Sequence, residues 1–312
     1  MTRTDLAYEA HEGLAKKCEG VILETKDLEH GELIKIEITD KEAEKIVGKK
    51  IGKYVTYETP SFKHMKDETR KEVIEVLSNN LKSLVDINRE KILVVGLGNR
   101  RVTADSLGPR TVDKIKVTRQ YFKAYKKDFD EDYNELAILV PGVMGVTGIE
   151  TQNTIKGVIE KIKPTMIIAI DALASRKMKR LCSVIQITNA GIEPGSGIGN
   201  MQGSLNEDTL GIKIAALGVP TVVDTATIVS DSIDLMKEKL THKISVADEV
   251  LGLLGQLDEH EKMGFIREVL NPMYNDTYVT PNEIDELIEI LSDILAEVIN
   301  NAVHPGYESS DM

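Results

Sequence analysis

A chain of 312 residues, 41% hydrophobic and 29% charged, can build a large core or two domains and has the balance of a soluble globular protein. Its net charge of −12 excludes a role in coating nucleic acid, which needs a basic surface, and is compatible with a basic protein as partner. Two widely separated cysteines, Cys18 and Cys182, imply a reducing compartment, and no apolar run is long enough for a bilayer or shaped like a secretory leader. Cytoplasmic residence without membrane contact is the expectation.

Residues 1–17 are polar and read as a ragged terminus. Residues 20–39 alternate apolar and polar, as in Leu33-Ile34-Lys35-Ile36, and predict half-buried strand around a turn at Gly31. A short helix over 40–47 follows, capped by Thr39 or Asp40, and then a strand over 53–58. These first 60 residues form a small α+β element. Val73, Ile74, Leu77, Leu81 and Leu84 put an apolar stripe on a helix over 67–84.

Ile92-Leu93-Val94-Val95 then reads as a strand buried on both faces. Gly96 and Gly98 permit a sharp turn, a polar loop carries Asp105, and Gly108-Pro109 marks a helix start. Residues 123–135 are a mixed charge run with the composition of a solvated loop. Leu136–Val140 predicts the next strand, ending in a loop with Gly142, Gly145 and Gly148, and a helix covers about 150–163. Met166–Ile170 is another buried strand with Asp171 at its carboxyl end. Strand 184–187 precedes a second glycine-rich loop that contains Gly195 and Gly197, and 214–218 and 221–224 supply more strand on either side of Pro220. Strand–helix alternation from 91 to about 224 predicts an α/β fold with a doubly wound, mainly parallel sheet. Helices follow over 232–257 and 259–270, and a strong apolar stripe runs from Ile284 to Ile299 behind Thr280-Pro281. Residues after His304 are expected to be disordered.

The chemistry narrows by elimination. All six histidines fall outside 91–224, which disfavours Ser-His-Asp and Cys-His catalysis there. Ser196 lacks the glycine two residues earlier that a nucleophile elbow needs; Pro194 stands there. Arg101 occupies the third glycine position of a dinucleotide fingerprint. Asp105 and Asp171 remain. Two carboxyls brought together share a proton and can activate water. Each could equally cap the following helix. Pattern alone stops at a carboxylate hydrolase or a binding fold.

Several motifs together resemble one family, the germination proteases (spore proteases) of endospore-forming bacteria. They are Arg3–Ala7, GLGN at 96–99 with Thr103, Asp105 and LGP at 107–109, PGVMGVTGIET at 141–151, IIAIDALASR at 167–176, GIEPGSGIGN at 191–200 and GVPTVVDT at 218–225. The resemblance implies a spore-core endopeptidase that begins the degradation of small acid-soluble spore proteins. It further implies a homotetrameric zymogen, with Asp105 and Asp171 as its aspartic pair and no cofactor. Glycine-loop N–H groups at 142–148 or 195–199 would stabilise the oxyanion. The chain divides into a propeptide, 1–5, and one peptidase domain, 6–312, with a sheet core at about 91–230 and a helical section at about 231–304. Thr4-Asp5-Leu6-Ala7 is similar to the family's substrate site of Thr, Glu, a bulky apolar residue and Ala, so cleavage is expected between Asp5 and Leu6. The Gly-x-Gly-Asn loop with Asp105 is also similar to hydrogenase maturation proteases, which bind nickel with two acids and a histidine. That core contains no histidine here. The alternatives are therefore a metal-dependent maturation endopeptidase acting on one partner, or an inactive peptide-binding module. The apolar stripe over 284–299 and the apolar N-terminal strands exceed the needs of one small sheet, which predicts self-association.

Overall fold

A computed structural model describes residues 4–14, 18–87, 90–125, 133–195, 203–240 and 277–307, with parts of 261–268. Helix α1 (Ala7–Glu12) leads to a hairpin, β1 (Val21–Leu28) and β2 (Gly31–Ile38), then α2 (Lys41–Val47) and β3 (Gly52–Glu58). Asp40 caps α2 by accepting from the N–H groups of Glu42 and Ala43. Helix α3 (Asp67–Leu84) precedes β4 (Lys91–Gly96). There follow α4 (Leu107–Val112), α5 (Arg119–Tyr125), β5 (Glu135–Leu139), α6 (Met144–Thr147), α7 (Thr151–Ile162) and β6 (Met166–Ser175). The chain continues through β7 (Val184–Thr188), α8 (Glu207–Leu210), β8 (Lys213–Asp224), α9 (Thr225–Leu240), β9 (Tyr278–Val279) and α10 (Ile284–Val303).

The described strands form a single nine-stranded sheet in the order β1-β2-β3-β7-β8-β6-β4-β5, with β9 paired to the end of β8. Pairings among β5, β4, β6 and β8 are parallel, and all others are antiparallel. The expected parallel sheet is therefore one half of a mixed one. The N-terminal strands are not a separate element, because β3 hydrogen-bonds to β7 along its length. Within the parallel half the winding reverses: the chain goes from β4 outward to β5, then crosses back to β6 on the other side of β4. That reversal opens a crevice at the carboxyl ends of β4 and β6.

Alternating side chains feed two layers. Ile92, Val94, Ile168 and Ile170 pack under α3, α4 and α10, whereas Leu93, Val95, Ile167 and Ala169 pack against α7. The stripe on α10 is consumed inside the chain: Ile288, Leu291, Ile294, Leu295, Val298 and Ile299 are all buried against the sheet, α3 and α4. It offers no surplus surface, so it does not argue for self-association.

Four further expectations change. The N-terminal segment is built into the fold: Leu6 and Ala7 are fully buried, and α1 docks beside β2. Strand β8 runs unbroken through Pro220, because a register shift opposite Leu173 and Ala174 leaves Thr221 unpaired on that side and accommodates a residue without an N–H. Leu107, not Pro109, opens α4, and Pro281 lies in the turn before α10, where its carbonyl accepts from Ile284 N–H. Residues 305–307 are ordered, with Tyr307 buried and Lys116 over its ring. The expectations for 241–260, for most of 259–270 and for the charged run at 126–132 lie outside the described residues.

Cys182 is buried, and burial pushes its thiol up to about 12. With a soluble maleimide at pH 7.5, the native protein is expected to label at Cys18 alone, and Cys182 only after unfolding. Peptide mapping of the labelled protein checks this.

Candidate active site

Three close backbone approaches build the crevice. Gly96 ends β4 opposite Ile170, and a Cβ there would sit 2.4 Å from the carbonyl oxygen of Gly108. A Cβ on Gly108 would in turn lie 2.5 Å from the carbonyl oxygen of Ile170. Gly98 has φ +110°, and a Cβ there would meet the Asp105 carbonyl oxygen at 2.1 Å. The loop between β4 and α4 is thereby pressed onto β6. Leu97 N–H donates to Ile170 O at 2.8 Å, extending the ladder by one bond, and Asn99 N–H donates to Asp105 O at 2.9 Å. Asp105 ends a single 3₁₀ turn, Thr103–Asp105.

Asp171 is not at the end of its strand. β6 continues four residues beyond it to Ser175, paired with β8 throughout. It is β4 that stops, its last pairing being Gly96 with Ile170, so Asp171 stands one residue past the shorter neighbour. Its side chain is 5% exposed. Burial raises its carboxyl well above the usual carboxylate range, and the charges of Asp105 and then Asp5 raise it further. Burial also lifts Asp105, to about 6, against a smaller opposing pull from the Asn99 N–H. The two aspartates singled out in the sequence are thus brought together, and a third carboxyl joins them from the N-terminal segment.

That segment is laid along the extension of β6. Asp5 N–H donates to Ala174 O at 2.9 Å, and Ala174 N–H donates to Asp5 Oδ2 at 2.8 Å. Gln186 on β7 clamps the next residues, donating to Asp5 O at 3.3 Å and accepting from Ala7 N–H at 2.8 Å. Leu6 fills a small apolar site with Leu173 and Val184. Glu9, 2% exposed, anchors α1 by accepting from the backbone N–H groups of Arg176 at 2.6 Å and Lys177 at 3.0 Å. Beside it Arg180, 1% exposed, contacts Glu9 at 3.4 Å, Glu12 at 2.7 Å and Glu58 at 3.0 Å, with its guanidinium 4.7 Å from the Tyr8 ring centre. Sequence reading missed this charged knot. Its only sequence signal is the i, i+3 spacing of Glu9 and Glu12, which carries no hint of Arg180.

The glycine loops are less directly placed. Gly142 and Gly148 have positive φ and flank the exposed turn α6, while Gly145 has open space where a Cβ would be. Gly195 also has positive φ; Gly197 lies outside the described residues. None of Gly142, Gly145, Gly148 or Gly195 lines the cavity of about 300 Å³ that opens beside Asp5, whose walls include Leu173, Gln186 and Gly218. Among the described residues, the one trio whose ligand atoms lie within 4.8 Å of one another as a metal site requires is Glu29, His30 and Glu72, all exposed; it contains neither aspartate of the pair.

A doubly wound sheet with two carboxyls of raised pKa at its winding reversal defines an α/β protein with a candidate acid–base crevice. The profile of the family described as "Germination protease" matches residues 3–248 and 237–312. The germination protease of Clostridium perfringens is 41% identical over 316 residues, 99% of this chain and 97% of its own length. That of Clostridium tetani is 40% identical over 318 residues, covering 99% and 98%, and that of Bacillus subtilis 39% identical over 347 residues, covering 97% and 94%. The chain belongs to the germination protease family, and is a peptidase of spore germination.

Proposed function

We propose that the protein is an endopeptidase of the spore core that hydrolyses small acid-soluble spore proteins through Asp105 and Asp171, and that it first removes its own residues 1–5. The observation that carries this reading is the gathering of carboxyls about Asp171: the charges of both Asp105 and Asp5 act on it, and Asp5, the residue before the expected cut, is laid along the same strand at Ala174. In this scheme Asp171, raised well above the usual carboxylate range, is the proton donor, and Asp105, near 6, is mostly ionised at neutral pH. Asp105 then takes a proton from water as it attacks the scissile carbonyl, and Asp171 gives its proton to the departing amine. Backbone N–H groups of the 142–148 loop, at the carboxyl end of β5, serve the oxyanion in this scheme. Homotetrameric assembly and a core related to hydrogenase maturation proteases accompany this reading; the winding order around β4 supports the second.

Incubation of the purified protein with a small basic spore protein is the direct test; absence of endoproteolysis rejects the reading. Restoration of activity by one stoichiometric metal after chelation would instead make the aspartates metal ligands. A sedimentation mass of 34.5 kDa at micromolar concentration would reject the tetramer. Self-processing has its own readout. The matured chain is expected to begin at Leu6, and Asp5→Glu is expected to mature faster, because a pocket shaped for the longer acid holds Asp poorly. N-terminal sequencing over a time course decides both points. The pH profile follows from the pair: cleavage rises as pH passes through about 6, where Asp105 loses its proton, and falls again only where Asp171 ionises. Acidification below 6 should therefore slow processing.

A further inference from the structure

The cavity beside Asp5 has an uneven charge lining. Lys45, Lys49 and Lys50 line it together with Glu44 and Glu193. Lys50 is committed to Glu44, at 2.7 Å. Lys49 follows Gly48, whose left-handed φ of 71° ends α2 and sends the chain back toward the N-terminal segment. There its ammonium donates to the carbonyl oxygen of Thr4 at 2.9 Å. Thr4 O belongs to the peptide group that joins Thr4 to Asp5. Lys49 is thus anchored one peptide bond ahead of the bond expected to be cut. Removing this ammonium from water lowers its pKa, and the charge that does most to offset this is Asp5, ahead of Glu193 and Glu9. A half-buried ammonium that lines unfilled volume together with Asp5 favours an anionic side chain there over a neutral one of the same shape.

We propose that Lys49 determines specificity for an acidic side chain on the residue immediately before the scissile bond. This rests on the reading of Asp5–Leu6 as the processing site. Lys49 touches the bound chain and takes no part in proton transfer, so its effect is confined to discrimination between an acid and its amide. Asp5 imitates that acid within the chain itself, while its carboxyl is also engaged by Ala174 N–H.

The test compares two peptides that differ at one position, with Thr-Glu-Leu-Ala or Thr-Gln-Leu-Ala at the centre, cleaved by the processed wild-type protein and by Lys49→Met. Wild type is expected to prefer the Glu peptide by about tenfold or more in kcat/KM, the scale of one charge-assisted hydrogen bond. In Lys49→Met the preference should fall below about threefold through loss on the Glu peptide alone. An unchanged preference overturns the proposal. So does an equal loss on both peptides, which would make Lys49 a structural contact only. If wild type cuts neither peptide, the processing-site reading fails, and Lys49 is judged without cleavage in the full chain carrying Asp105→Asn. Exchange of the Asp5 amide, which is bonded to Ala174, should then quicken on Asp5→Asn with Lys49 present and not with Lys49→Met. Equal quickening in both backgrounds overturns it.

Discussion

Replacement of Asp171 by Asn is expected to lower kcat/KM for a spore-protein substrate by about a hundredfold to ten-thousandfold, the range removed with a general acid, and Asp105→Asn by a similar factor. Neither change should unfold the protein. Both carboxyls bind their protons more tightly in the folded chain than in the unfolded one. The stability that such a group contributes is fully present below its unfolded pKa and is lost as pH rises through its folded pKa. For Asp105 that window runs from 3.8 to about 6. That difference corresponds to at most about 3 kcal/mol, less what partial solvent screening removes. Asp105→Asn should therefore match wild type near pH 4, exceed it in stability at pH 8, and flatten the profile between. Urea denaturation across that range, run beside peptide assays, checks both halves. An inactive but destabilised variant would mean that the carboxyl holds the fold together, and full activity in either variant would remove the pair from the mechanism.

The largest loss of stability is expected from Arg180→Met. The guanidinium is enclosed by Glu9, Glu12 and Glu58 and lies against Tyr8. Without it Glu9 becomes a buried carboxylate held only by neutral donors, and breaking a buried pair from one side costs about 3–5 kcal/mol. Adding Glu9→Gln to Arg180→Met should recover part of that loss, because the orphaned charge is then gone. The paired measurement is a double-mutant cycle in urea. Simple additivity of the two losses would show that Arg180 and Glu9 act independently.

What could be read beforehand follows how each residue earns its position. Asp105 and Asp171 were visible because glycine turns and uninterrupted branched runs mark buried parallel strands, and such strands aim their ends at one crevice. The length of β6 was not visible. Ala172–Ser175 has no glycine or proline to stop it, but only β8 alongside shows that it continues as strand. Pro220 misled for the opposite reason: it punctuates a sequence, yet a register shift absorbs it. The stripe on α10 looked like spare surface because its partners, α3 and α4, lie more than 170 residues earlier. Lys49 and Arg180 stand among other charges, where a solvated surface is the ordinary reading. Burial of a charge is decided by neighbours distant in sequence, which local pattern does not report.

The pairing of β3 with β7 also sets a schedule for synthesis. Residues 52–58 must wait for residues 184–188 before their open edge is satisfied, and Asp5 must wait for Ala174. At ordinary translation speeds that delay is roughly 10 s or more, during which β1, β2 and β3 have only one another to pair with. Contacts this far apart make for slow folding. The same delay governs the N-terminal segment. Residues 5–7 cannot be laid along Ala174 and Gln186 until β6 and β7 exist, so a ribosome-bound fragment ending before residue 166 lacks the strands that hold them. Docking of that segment is thereby coupled to completion of the sheet, through topology alone.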